Sequence, residues 1–486
     1  MVGARARRSN GRKSEPQAKF STTIKLSEVV EEGTRFEASA YSIAARTAVD
    51  ALQGSRLPLT PLLGETGLCD DAPDPIRTTR RWVAEPFGVP FLTSSDIISA
   101  KPQTNSFISR SKTKRLPELL IRPWEVLISR SGTVGNVGLA SAIFVGKALS
   151  EDAIRLRAPN PEAAGFIVAF LRSRYGRPQV AQASYGSVVR HIEPQHLTRI
   201  LIPDLGDLGL SIGQRVKKAY DLRDEANERL DVADTELHRL LGIPKLTTRE
   251  RKGPIVSSVR ATRLGGRFEA SYHDQRVRAV LDTISPMNCL RLEDARLTKE
   301  IRAVTKFRKR VYVRQGGIPM MSSKQLLQID PVDVKRLAKG AHTKDLPEIS
   351  LNRNMVAVSC SGTIGRIQFI PAYMEGWTAN QHAMRITATG EMNAGYLYSW
   401  LASDYGQCLI RRYSYGSVIL EIDREMLGSI PVPYPAESVR NAIGELVLAA
   451  NNLSDEAWRL ERGAINDLES AVESGTPIGW GPSSRT

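Results

Sequence analysis

The stretch Val126-Leu-Ile-Ser-Arg-Ser-Gly-Thr-Val-Gly135 returns at Val356-Ala-Val-Ser-Cys-Ser-Gly-Thr-Ile-Gly365. Each copy runs a short apolar strand into Ser-Gly-Thr-aliphatic-Gly and then into a second apolar run. About 230 residues separate Ser131 from Ser361. Two other landmarks keep nearly that offset: Tyr185-Gly-Ser-Val188 recurs as Tyr415-Gly-Ser-Val418, and Arg35-Phe-Glu-Ala-Ser39 as Arg267-Phe-Glu-Ala-Ser271. The chain is therefore a tandem duplication, which predicts two copies of whatever the unit does.

Working outward, Gly33 to Leu52 reads as the start of a helical segment. Arg80 to Leu92 and Lys309 to Met321 each read as a strand, a Gly/Pro turn and a second strand, followed by a Ser-capped helical turn. Between these and the Ser-Gly-Thr turns lie two polar stretches, Lys101 to Arg115 and Asp330 to Lys344. The first is expected to be an exposed loop. Gly165 to Tyr175 and Ala394 to Tyr405 have the spacing of packed helices, and each unit closes on a strand ending in proline, at Pro203 and Pro433.

A long helix follows in each copy. Ala219, Ala226, Leu230, Ala233, Leu237 and Leu240 form the stripe of the first, over Gln214 to Leu241. Val439, Ile443, Leu446, Ala450, Leu453, Ala457, Leu460 and Ala464 form that of the second. Spacings of three and four describe a heptad seam, and the repetition predicts that the helices pair with each other. Both carry many acids, so the basic excess falls on the globular parts, the tail and the linker around Arg249 to Lys252.

That excess is large. The 486 residues hold 67 Lys and Arg against 52 Asp and Glu, a net charge of +15. Such a field attracts polyanions, nucleic acid first and an anionic membrane surface second. The length allows two to four domains, each half large enough to bury a core. No apolar run approaches a membrane span, and Met1 to Lys19 lacks the apolar core of a secretory signal. The four cysteines, Cys69, Cys289, Cys360 and Cys408, have no metal-ligand spacing and read as reduced thiols of a cytoplasmic protein.

Motifs that carry chemistry are few. There is no phosphate-cradling G-x-x-x-x-G-K-[ST], and Gly132, Gly135 and Gly138 have the wrong spacing for a dinucleotide fingerprint. Gly209-Leu-Ser-Ile-Gly213 matches a nucleophile elbow in letters only, because the preceding strand stops at Pro203; Ser211 suits a helix cap better. His191 and His196 do not share a helix face. The Ser-Gly-Thr turns admit two readings. Their glycines and hydroxyls (Ser131, Thr133, Ser361, Thr363) can meet a phosphate, or they can simply satisfy a hairpin, which is the simpler account. Tyr185 with Ser187, and Tyr415 with Ser417, can anchor a loop or touch nucleic acid. The basic residues Arg80, Arg81, Lys101, Arg110, Lys112, Lys114 and Arg115 in the first copy are candidates for phosphate contact. So are Lys309, Arg310, Lys335, Lys339 and Lys344 in the second.

The fixed order of these landmarks, present twice from about Phe20 to Ser474, resembles the specificity (S) subunits of type I restriction–modification enzymes. The resemblance implies an α+β chain of two tandem target-recognition domains with pseudo-two-fold symmetry, separated by two long antiparallel helices forming a coiled-coil spacer. The expected division is a basic tail at 1–19, recognition domains at 20–210 and 263–436, spacer helices at 211–243 and 437–474, a linker at 244–262 and a tail at 475–486. It implies a non-catalytic subunit that reads a bipartite, asymmetric site in double-stranded DNA. The implied partners are two DNA adenine methyltransferase subunits, which would carry S-adenosylmethionine, together with restriction or translocase subunits; this chain itself would hold no cofactor. It also implies a cytoplasmic, nucleoid-associated place in a bacterium or archaeon. Two alternatives remain open: a phage-defence methylation complex without a nuclease, and a stand-alone DNA-modifying enzyme. A protein-joining scaffold is the third class, which DNA binding with a steep salt dependence would exclude.

Overall fold

The computed structural model describes residues 23–31, 38–186, 190–246, 258–303, 310–314, 316–416 and 418–475. The basic tail, Arg35 to Glu37, Ser187, the basic linker at 249–252, Lys309, Ser417 and the last residues lie outside the described residues.

Each half builds the same parts at the repeat offset. In the first, Val126–Ser129 is the centre of a three-stranded antiparallel sheet between Val137–Leu139 and Ala153–Leu156. In the second, Val356–Ser359 takes that place between Ile367–Phe369 and Ala383–Ala388, with Thr298–Arg302 as an added edge. The registers agree: Val126 faces Leu139 and Leu156, and Val356 faces Phe369 and Ile386. A smaller mixed sheet lies beside each. It is ordered Trp82–Val83, Phe107–Ser109, Gly88–Leu92, Ala148–Leu149 in one half, and Tyr312–Val313, Lys335–Leu337, Ile318–Met321, Thr378–Ala379 in the other.

The stretch from Lys101 to Arg115 is therefore not simply an exposed loop. Phe107–Ser109 pairs on both sides, with Trp82–Val83 and with Gly88–Pro90, and Ile108 is fully buried. Three residues are too few for alternation to stand out among so many polar neighbours. Lys335–Leu337 has the same role in the second half, with Leu337 fully buried.

The helices Pro161–Arg172 and Glu391–Ala402 pack on the central sheets, and Asn160 caps the first by accepting from the Ala163 N–H at 2.8 Å. They cross the two long helices, Asp207–Leu241 and Glu437–Ser474, at glycines. A Cβ on Gly165 would lie 2.3 Å from the Gly213 carbonyl oxygen, and one on Gly395 would lie 2.7 Å from that of Gly444. Only glycine permits so close a crossing.

The first long helix opens at Asp207, earlier than the seam suggested. Gly206, at φ +53°, turns the chain sharply after the proline-ended strand, and Asp207 places a carboxylate in the first turn. Ser211 consequently lies within the helix and does not cap it. The long helices run antiparallel: Arg215 pairs with Asp467 at 2.7 Å and Arg223 with Glu461 at 2.5 Å. Ala219, Leu222 and Ala457 are buried between them.

Each head's core is completed by both long helices. Ile212, Val216 and Tyr220 from the first and Ala464, Ile465, Leu468, Ala471 and Val472 from the second lie in the first core. Ala233 and Leu237 join Ile443 and Val447 in the second core. Asp224 and Asp455 bind each helix to its own head: Asp224 accepts from the Ser141 hydroxyl at 2.8 Å, and Asp455 from the N–H groups of Ala372 and Tyr373 at 3.0 Å. Some of the helical acid thus has a structural use.

The long helices are expected to hold the heads apart, yet the heads touch. The Ala100 N–H donates to the Leu327 carbonyl at 2.9 Å and the Ile329 N–H to the Ile98 carbonyl at 2.7 Å, with Ser99 facing Gln328. Each bond becomes the other under the repeat offset, so a local two-fold axis passes between Ser99 and Gln328.

Candidate nucleic-acid interface

The smaller sheet of each half ends in an edge strand paired on one side only, and an exposed edge bearing cations resists pairing with another chain. In the first half that edge carries Trp82, 53% exposed, and leads to Phe87, 70% exposed. The Trp82 ring meets Phe91 edge-on at 5.5 Å, and the Arg80 guanidinium lies 5.1 Å over the same Phe91 ring. Arg81, Arg110, Lys112 and Lys114 are exposed around it. In the second half Tyr312, 40% exposed, takes the place of Trp82, and the Lys335 ammonium sits 5.4 Å from its ring centre. Lys339 and Lys344 are exposed nearby in sequence. Buried His342 fixes this edge, accepting from the Val311 N–H at 2.9 Å while its other ring nitrogen bonds Asp345 at 2.9 Å. Aromatic rings with cations beside them on an open edge can reach base edges and phosphates alike.

A chain of contacts joins this edge to the Ser-Gly-Thr turn and the tyrosine loop. Arg80 pairs with Glu151 at 2.8 Å, and the Glu151 carbonyl accepts from Arg130 at 3.3 Å. Arg130 grips Glu193 with two nitrogens, and the Tyr185 hydroxyl donates to the same carboxylate at 2.9 Å. Partial burial alone would raise the Glu193 pKa, but Arg130 and Tyr185 more than offset it and hold it below the usual range. The hydrogen bond to Glu193 raises the pKa of Tyr185, which keeps its proton. Ser131 donates to Asp152, while Thr133 is exposed.

The second half repeats the layout with other residues. Arg310 donates to Gln381, Ser361 to Glu421 at 3.2 Å, and Tyr415 exchanges two backbone bonds with Glu421 at 2.8 Å. Thr363 is exposed. Cys360 stands where Arg130 stands in the first half, and burial pushes its thiol up to about 11. The turns are closed by the preceding serines: Ser129 donates to the Thr133 carbonyl at 2.6 Å and accepts from the Asn136 N–H at 2.8 Å. Ser359 does the same with Thr363 and Arg366.

Each half therefore gathers Arg80, Ser131 and Tyr185, or Arg310, Ser361 and Tyr415, into one neighbourhood. Two candidates are drawn elsewhere. Lys101 pairs with Asp231 of the long helix at 2.5 Å, and Arg115 turns back on Glu118, its Nε 2.7 Å from Oε1. Three exposed groups escaped the sequence reading as site residues: Trp82, Tyr312 and the apolar tip Val418, Ile419 and Leu420. An aromatic one or two places after Arg81 and Arg310 was the available signal for the first two.

Among the described residues no group of three or more His, Cys, Asp and Glu could hold a metal ion, and no helix is long and apolar enough to cross a membrane. No family model and no curated protein matches the chain. The solved structures it is similar to include three that concern type I restriction–modification systems. With the S subunit of such a system from M. genitalium the identity is 12%, over 86% of this chain and 100% of that one, with a TM-score of 0.33. With the HsdS subunit from Thermoanaerobacter tengcongensis it is 14%, over 85% and 99%, with a TM-score of 0.26. With a chain from a study of the assembly and conformational transition of the type I system it is 13%, over 82% and 100%, with a TM-score of 0.26.

Proposed function

We propose that this protein is a sequence-specific, non-catalytic DNA-recognition subunit of a type I restriction–modification complex, each half reading one part of a bipartite asymmetric site. The observation that carries the proposal is the duplicated basic and aromatic edge. Trp82 with Arg80 and Arg81, and Tyr312 with Arg310 and Lys335, occupy equivalent places in two heads related by a two-fold axis. In a chain of net charge +15, Lys and Arg would neutralise phosphates and supply affinity that ignores sequence. Side chains on the edge strands would reach base edges and supply discrimination. The heads differ in those side chains, so the half-sites would differ.

The two helices and the Ser99–Gln328 contact together would set the gap between half-sites. Methyltransferase subunits bearing S-adenosylmethionine, and restriction subunits where present, would act as partners. Methylome sequencing of a host with and without this chain tests the reading. The expected result is one motif of two short, unlike half-sites with a fixed gap; a continuous motif, or no change, sinks it.

A further inference from the structure

The two flanks of the local two-fold axis are not alike. On one, Glu461 of the second long helix is buried against Arg172 of the first head and Arg223 of the first long helix. Beside it Asp330 of the second head pairs with Arg177 of the first head, and with Arg462 at 3.0 Å. The repeat offset carries these six residues onto Leu230, Ala402, Ser454, Lys101, Gln407 and Asp231. All six images line a cavity of about 770 Å³ on the opposite flank. Of the ion pairs, one alone has a counterpart, and its charges are reversed: Asp330 with Arg462 becomes Lys101 with Asp231.

Two other sets of contacts between the halves cannot tell one half from the other. The exchange of backbone bonds between 98–100 and 327–329 uses no side chain. The helix seam is nearly self-equivalent, since Ala219, Leu222 and Ala226 map onto Ala450, Leu453 and Ala457. Two copies of the first half could form both sets of contacts. Discrimination comes from the ionic flank and from the far ends of the long helices, where His238 bonds Asp404 at 2.9 Å while the image of His238, Glu469, accepts from the Arg174 N–H at 2.8 Å. In a pair of first halves, Arg172 and Arg223 would surround Leu230 with no carboxylate, and Arg177 would face Lys101. In a pair of second halves, Glu461 would be buried beside Ala402 and Ser454 with no cation. A buried charge without a partner is strongly unfavourable.

We propose that the surface between the halves is built to accept only the complementary half, so that the first half pairs with a second half and rejects a copy of itself. This holds whether or not the chain binds DNA.

The test uses the full chain with a protease site placed within 247–257, folded intact and then cut. The nicked protein is taken through mild denaturant, and native mass spectrometry counts the pairs that re-form. Mixed pairs should exceed either like pair by at least ~10-fold; a random 1:2:1 distribution overturns the proposal. A second chain carries Leu230→Glu, Lys101→Asp, Asp231→Arg and His238→Glu, which supplies Arg172, Arg223, Arg177 and Arg174 of a first-half pair with carboxylates. Under the same conditions this chain should yield soluble first-half pairs. If it yields none, charge does not govern the choice of partner and the proposal fails.

Discussion

Glu461, near the C-terminus, and Arg172, in the first head, form an ion pair buried from solvent although 289 residues separate them. Arg223 closes on the other carboxylate oxygen at 2.5 Å. Burial alone would raise the Glu461 pKa; the two arginines more than offset it and hold it below the ordinary 4.5.

Glu461→Leu leaves two buried guanidinium groups unpaired and should destabilise the protein by about 3–5 kcal/mol. The triple change Arg172→Ala, Arg223→Ser, Glu461→Leu copies the opposite flank and should recover at least half of that loss. Urea unfolding followed by fluorescence measures both. Because the folded pKa is depressed, this stabilisation is complete above the ordinary value and is lost as pH falls below 4.5 toward the folded pKa. Asp330, held below its ordinary 3.8 against its burial by Arg177 and Arg462, should add to the same acid loss. The triple variant should show a shallower decline over this range.

His238, near the end of the first long helix, bonds Asp404 of the second head at 2.9 Å. Burial lowers its pKa, but Asp404 and Asp234 outweigh this and the net shift is upward from 6.5. Its contribution is therefore fully present below pH 6.5 and is lost as pH rises through the folded pKa. The urea midpoint should fall on going from pH 6 to pH 8, and His238→Gln should flatten that dependence.

Gly213→Ala would set a Cβ 2.0 Å from the Glu162 carbonyl oxygen, and Gly444→Ala one 2.5 Å from that of Met392. Alanine gains about 1 kcal/mol in helix propensity. Forcing the helices apart should outweigh that, for a net loss of about 1–2 kcal/mol. Both variants should unfold at lower temperature in scanning calorimetry; a rise in either midpoint would contradict the crossing.

Arg81→Ala and Lys112→Ala should each weaken DNA binding across all sequences and lower the salt slope by about 1. Trp82→Ala should weaken discrimination at one half-site only. Lys101→Ala, whose ammonium is engaged by Asp231, should leave affinity within about two-fold. Anisotropy titrations over a range of salt separate these outcomes.

The repeat made the doubled architecture legible, and the stripe from Val439 to Ala464 marked the second long helix because its spacing persists for many turns. The crossings at Gly165 and Gly395 were not legible: a glycine marks caps and turns as readily as close contacts, and the partner carbonyl lies on another helix. Composition favoured Lys101 as a phosphate ligand. Nothing local could reveal Asp231, which lies 130 residues further along. For the site, Arg80, Ser131 and Tyr185 were picked out separately by type. Their link through Glu151, Arg130 and Glu193 joins residues far apart in the chain, which no short motif records.

The shared cores also dictate an order of events at the ribosome. The first head awaits Ala464, Ile465, Leu468, Ala471 and Val472 to complete its interior. At roughly 5–20 residues per second, it emerges on the order of ten seconds or more before those side chains are made. During that interval its unfinished apolar face is open to chaperones, so nascent-chain capture should peak after the first long helix has been translated and end once Val472 has emerged.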